Sequence, residues 1–272
     1  MPKTELSSLG RAALFAVCLV LAACGGESAA SLIESGKAYL AKKDPRAALI
    51  QFKSALQKDP QSAEARFLLG QALLAASDPG GAAVELAKAA DQHYDEAQVM
   101  PALARALLLS GAARKLTTLY GGLTLADKPA DAAFKSTLAS AWGQLGDVAK
   151  MQAATRAALD AVPGFAPALV LQARQAALEG RSDEALATVG QALARDSANA
   201  EGWQLEGDIR ASVKNDAAGA AAAYEHALAA EPAFVPAHLA LITQALQAGD
   251  SARAKAQAAR LRAVLPRHPQ TL

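Results

Sequence analysis

The chain has 272 residues, enough for one large domain or two small ones. Apolar residues make up 52% of it and aromatics only 4%, with alanine throughout. That suits helices packed closely through small side chains and argues against a sandwich or barrel of β-branched and aromatic strands. With 27 basic and 26 acidic side chains the formal charge is +1, and no basic run is interleaved with aromatics, so the sequence carries no nucleic-acid footprint.

In chain order, Met1 to Gly10 is polar and carries Lys3, and Ala12 to Ala23 is an unbroken apolar run, AALFAVCLVLAA. A helix that crosses a membrane takes about 20 such residues, whereas this run has the size of a secretory h-region. Leu21-Ala22-Ala23-Cys24 closes it and resembles the bacterial lipobox. The resemblance implies a signal peptide over 1–23 and a lipid on Cys24. Residues 24–28, with Gly25-Gly26-Glu27-Ser28 after the cysteine, then form a flexible tether. Acyl chains hold at about 0.8 kcal/mol per buried methylene, so several together anchor firmly. In that class an aspartate after the cysteine retains proteins at the inner membrane. Gly25 stands there, which implies the outer membrane, facing the periplasm. An ordinary signal sequence with an incidental cysteine is the competing reading. Cys18 falls inside the removed segment, and no cysteine follows Cys24, so the body has no material for a disulfide, a thiol nucleophile or a cysteine metal site.

A period of 34 residues then governs the chain. Leu32, Gly36, Tyr39, Ala48, Phe52, Ala55 and Pro60 are followed in phase by Gly70, Leu73, Ala82, Leu86 and Ala89. Repeat starts fall at Ala29, Ala63, Ala97, Ala132, Ala166, Ala200 and Val235, giving repeats over 29–62, 63–96, 97–131, 132–165, 166–199, 200–234 and 235–268. The order of small, aromatic and proline positions resembles the tetratricopeptide repeat. It implies an all-α fold, a right-handed superhelical solenoid of about seven helix-turn-helix repeats. Gly36, Gly70 and Gly207 are expected where a second helix must approach the first closely, with Phe52, Leu86 and Tyr224 filling the space opposite. Gly111, Gly146, Gly180 and Gly249 are expected in the turn of each hairpin, and Pro60, Pro163, Pro232 and Pro266 near the repeat ends.

Two departures stand out. The third repeat carries Leu116 and Leu123 where alanines are expected, with Pro101 early in its first helix and an extra residue within Leu125 to Asp131; irregularity is expected there. The sixth carries an extra residue within Val213 to Gly219, expected to lengthen its turn. Gly80-Gly81 and Gly121-Gly122 read as short helix breaks. By register, 269–272 open an eighth repeat that is missing, so the chain is expected to be a fragment of a longer protein or to cover its uncapped last face by a partner or by self-association.

The inner face of stacked hairpins is lined by first helices, at the second, fifth, ninth and twelfth residues of each repeat. The candidates for partner binding are Ile33, Lys37, Phe67, Gln71, Arg105, Val170, Arg174, Gln204 and Asp208. They describe a groove for an extended peptide or helix, apolar in its first half, with Lys37, Arg105 and Arg174 steering acidic groups. The competing reading is that these cations are only solvated. Chaperone-binding repeats of this kind clamp a terminal carboxylate with lysine and asparagine; Ile33 and Lys37 stand in those places, so no clamp is expected. His93, His226, His238 and His268 form no close pair, and no phosphate-cradling glycine loop occurs, so neither catalysis, metal nor cofactor is expected. Trp142 and Trp203 fall at packing positions.

The segment SLIESGKAYLAKKDPRAALIQFKSALQKDPQSAEARFLLGQALLAASDPGGAAVELAKA, with the lipobox, resembles the tetratricopeptide-repeat lipoproteins of PEP-CTERM/exosortase systems, which accompany exopolysaccharide loci. The resemblance implies a non-enzymatic scaffold in the cell envelope that binds protein or peptide partners and supports exopolysaccharide or PEP-CTERM surface assembly or export. The alternative is a lipoprotein assisting pilus secretin or outer-membrane β-barrel assembly.

Overall fold

The computed structural model describes residues 27–265, to which all structural statements below refer. The signal segment 1–23, lipidation of Cys24, the terminal start of an eighth repeat, Pro266 and His268 lie outside the described residues. The chain divides into two compact units, one reaching Asp95 and the other starting at Glu96. The first contains α1 (Ala29–Ala41), α2 (Pro45–Lys58), α3 (Ala63–Ala75) and α4 (Pro79–Asp91). The second begins with α5 (Glu96–Leu109), α6 (Ala113–Tyr120), α7 (Lys128–Gln144), α8 (Val148–Ala161) and α9 (Ala166–Leu178). It continues through α10 (Ser182–Arg195), α11 (Ala200–Ser212), α12 (Ala217–Ala230), α13 (Val235–Gln247) and α14 (Ser251–Val264). No strand occurs among the described residues.

Local chemistry sets the hairpins. Most second helices open on an aspartate whose carboxylate accepts a backbone N–H three residues on. Asp44 takes Ala47 at 3.0 Å, Asp78 takes Gly81 at 2.9 Å, and Asp147, Asp216 and Asp250 do the same in the second unit. These caps satisfy donors the first turn leaves open. The residue before each is left-handed, with φ of 58° at Lys43, 61° at Ser77, 78° at Gly146, 52° at Asn215 and 72° at Gly249. One left-handed residue ends the first helix and the next residue caps the second. Gly80 and Gly81 do not break a helix: they form the first turn of α4 after Pro79, where a Cβ on Gly81 would lie 2.5 Å from the Asp78 carboxylate.

Close approach of the paired helices builds each core. A Cβ on Gly36 would fall 2.4 Å from the Phe52 ring, one on Gly70 2.5 Å from Leu86 Cγ, and one on Gly207 2.5 Å from the Tyr224 ring. Phe52, Leu86 and the flanking Ala48, Ala55, Ala82 and Ala89 are fully buried. Small residues on one helix thus admit one large side chain from the other, as their phase predicts.

The third hairpin departs from this plan. Its second helix, α6, has 8 residues against 13 or 14 for the other second helices, and ends at Gly121-Gly122. The connection is pinned by the buried Asp131 carboxylate, which accepts the Leu125 N–H at 2.8 Å. With so short a partner, α5 packs chiefly against α7. The first helix of the fourth hairpin begins at Lys128, not at Ala132, because Asp127 caps it and Pro129 favours its first turn. In the sixth hairpin, four residues separate α11 from α12, where the other hairpin turns have three.

Candidate interaction surface

In the first unit the candidate face is built by α1 and α3. Lys37 on α1 extends its ammonium to Glu34 one turn back and to Glu64 on α3, each at 2.8 Å. The two hydrogen bonds, to Glu34 first and then Glu64, hold the Lys37 ammonium well above its usual range. Phe67 on α3 stacks on Tyr94, with centroids 4.8 Å apart. Burial pushes the Tyr94 phenol up, and the charges of Glu64 and Asp95 add to the effect. Lys37 is therefore not a spare cation: two carboxylates bracket it, and the patch beside the aromatic pair is acidic. Gln71 is exposed on the same helix as Phe67.

In the second unit Arg105 is exposed on α5 and Arg174 on α9. Arg174 and Asp208 of α11 are brought together, since the arginine charge acts on the carboxylate. Tyr224 of α12 donates its hydroxyl to Asp208 Oδ1 at 2.8 Å. Burial is the dominant influence on Asp208 and lifts its carboxyl above the usual range, partly offset by that hydrogen bond and by Arg174. Gln204 is half-buried one turn before Asp208.

Three candidates require correction. Ile33, Phe67 and Val170 were expected to line an apolar groove, yet they are only 7%, 3% and 2% exposed. Val170 turns toward the neighbouring hairpin: its Cγ2 lies 3.4 Å from where a Cβ would stand on Gly202 of α11. These side chains are core, and the accessible face is polar. Glu34, Glu64, Tyr94 and Tyr224 shape that face without having been among the candidates. The Glu34–Lys37 spacing of three was a usable signal, while the Glu64 and Tyr224 contacts cross between helices. Two of the histidines, His238 and His226, have structural partners. His238 is 2% exposed, with Nε2 3.0 Å from the Pro232 carbonyl and Nδ1 2.8 Å from Gln257 Nε2. Trp203 donates Nε1–H to the Ser197 carbonyl and stacks on His226. Among the described residues no three His, Cys, Asp or Glu side chains converge as a metal site would need, and no helix is long and apolar enough to cross a membrane.

Comparison with known proteins assigns the hairpins. The tetratricopeptide-repeat profile matches residues 39–106. A tetratricopeptide-repeat protein from Parabacteroides merdae superposes with a TM-score of 0.62 at 16% identity, over 88% of this chain and 93% of that one. A chain of the APC/C hetero-tetramer Cut9-Hcn1 superposes with a TM-score of 0.61 at 16% identity, over 89% of this chain but only 46% of its own length. Pseudomonas aeruginosa pilF gives 0.51 at 17% identity, over 89% and 94% of the two chains. A sequence comparison with curated proteins finds no match. At these identities the likeness is one of fold, and the chain has the all-α tetratricopeptide-repeat fold.

Proposed function

We propose that this chain is a non-enzymatic protein-interaction scaffold. In this proposal a lipid on Cys24 holds it at the outer membrane facing the periplasm, where it supports exopolysaccharide or PEP-CTERM surface assembly or export. The observation that carries the binding role is the face of paired first helices. There the Lys37–Glu64 bridge joins α1 to α3 in one unit, and in the other Asp208 of α11 is fixed by the Tyr224 hydroxyl and feels the charge of Arg174 on α9. Polar groups fixed in place before binding lose little freedom when a partner arrives. The envelope placement is supported by Leu21-Ala22-Ala23-Cys24.

Crosslinking the full chain in intact envelopes, followed by capture and identification of partners, tests this. Exosortase-linked or polysaccharide-export proteins are expected with the wild-type chain, and Cys24→Ala is expected to move the chain out of the membrane fraction. Recovery of peptidoglycan enzymes alone would sink the proposal. Recovery of pilus secretin or barrel-assembly components would replace it with the other assembly role.

A further inference from the structure

The short α6 leaves a vacancy in the packing of the second unit. The other second helices continue for about one and a half further turns. In their absence a cleft of about 430 Å³ opens between α6, α7 and α8. Its lining falls outside the second, fifth, ninth and twelfth repeat positions, so it is separate from the face described above. The only ionisable groups lining it are Lys135 and Lys150. Lys135 is fixed at one rim, donating to Thr124 Oγ1 at 3.1 Å and to the Leu123 carbonyl. Lys150 lies 4.3 Å above the Trp142 ring and pairs at 2.9 Å with Asp147. Leu138, Ala153 and Ala157 supply an aliphatic wall. A Cβ on Gly121 would stand 3.4 Å from Trp142 Cζ2, so the indole is held between that glycine and Lys150, while Gly122 opens onto free space.

The geometry points to this cleft as a docking site for a peptide segment that places an acidic side chain beside an aliphatic one. The volume suits a few side chains rather than a whole helix. The lysines attract and orient the carboxylate, and the alanine and leucine wall takes the aliphatic group. A half-buried tryptophan at the centre is a frequent anchor of such contacts. A glycan is disfavoured because Lys150 occupies the indole face on which a sugar would stack. Nucleic acid is disfavoured because two lysines, one already shared with Asp147, neutralise few phosphates.

The full chain carries two tryptophans, so Trp203→Phe leaves Trp142 as the only one and as a reporter inside the cleft. The probe is a capped hexapeptide alternating leucine and glutamate. A saturable change in Trp142 emission is expected with Kd below about 100 µM at low salt. Peptides with glutamine or lysine in place of glutamate are expected to bind about tenfold more weakly, as is the glutamate peptide to Lys150→Glu. Ala153→Phe, at an exposed position, is expected to fill the cleft and abolish binding with helical content unchanged. Anisotropy of the labelled peptide with the wild-type chain gives the same ranking should Trp203→Phe fail to fold. An unchanged signal up to about 1 mM, equal binding of all three peptides, or preference for oligogalacturonate as an anionic glycan overturns the inference. The site rests on the reading of the chain as a protein-binding scaffold. Envelope partners that survive Ala153→Phe would leave that reading standing, so the two fail separately.

Discussion

One glycine-to-alanine change, made at two places, tests the packing logic with opposite signs. Gly70 lies inside α3, where alanine alone would favour the helix by about 1 kcal/mol. A Cβ there meets Leu86 Cγ at 2.5 Å, Cδ2 at 2.8 Å and Cδ1 at 3.3 Å, and Leu86 is fully buried with nowhere to retreat. Forcing a methyl into such a contact costs about 1–3 kcal/mol or more, so Gly70→Ala is expected to destabilise by about 1–2 kcal/mol net. Gly190 in α10 is exposed and a Cβ there would touch nothing within 4 Å, so Gly190→Ala is expected to stabilise by up to about 1 kcal/mol. Leu86→Ala alone leaves a cavity costing about 2–5 kcal/mol. Combined with Gly70→Ala it is expected to cost about 1–2 kcal/mol less than the sum, since the new methyl enters the space Leu86 vacates. Urea denaturation followed by far-UV circular dichroism measures all four, with separate phases fitted where repeats melt in steps. A Gly70→Ala protein as stable as wild type, or strict additivity with Leu86→Ala, would refute the close-approach argument.

Lys43 is exposed and left-handed at φ 58°, so Lys43→Gly is expected to raise the urea midpoint by up to about 1 kcal/mol equivalent, and Lys43→Val to lower it. Asp208 titrates above the ordinary value near 4, so the folded state holds this proton more tightly than the unfolded chain does. Its stabilising share is present in full below about pH 4 and is lost as pH rises through the raised value. Asp208→Asn keeps an acceptor for Tyr224 and is expected to gain stability relative to wild type as pH rises from about 4 through the raised value; a relative loss over that rise would contradict the burial argument. His238→Leu leaves the buried Gln257 amide without its ring partner and removes the contact with the Pro232 carbonyl, and is expected to cost about 1–3 kcal/mol in the same denaturation assay.

The fold was legible wherever a rule of contact forces a residue type. A mid-helix glycine is unfavourable unless something needs the space, so Gly36, Gly70 and Gly207 in one phase announce paired helices. Period alone misplaces elements where local chemistry is stronger. Asp127-Lys128-Pro129 is a cap followed by a first-turn proline, and it starts α7 four residues before the phase does. Gly80-Gly81 resembles a break until Asp78 and Pro79 are read as a helix start. Three hairpin turns hold Lys43, Ser77 and Asn215 where glycine would be the signal, and the aspartate one residue on marks them instead.

The surface was less legible because a helical period shows which positions are apolar and not which neighbour covers them. Ile33, Phe67 and Val170 read as groove lining and are core; Val170, for one, is covered by Gly202 of the adjacent hairpin. The charge of the face changes for the same reason. Glu34 at three residues from Lys37 is visible in the sequence, whereas Glu64 reaches Lys37 only through the stacking of α3 on α1. Counted as isolated, Lys37 predicts a partner with acidic groups. Held between two carboxylates, beside a tyrosine whose phenol is raised by Glu64 and Asp95, it belongs to a patch of net negative charge. Attraction of acidic groups in this chain therefore falls to sites whose cations outnumber their carboxylates. The cleft under α6 is such a site, because Asp147 engages Lys150 while Lys135 is held by a carbonyl and a hydroxyl that leave its charge uncancelled.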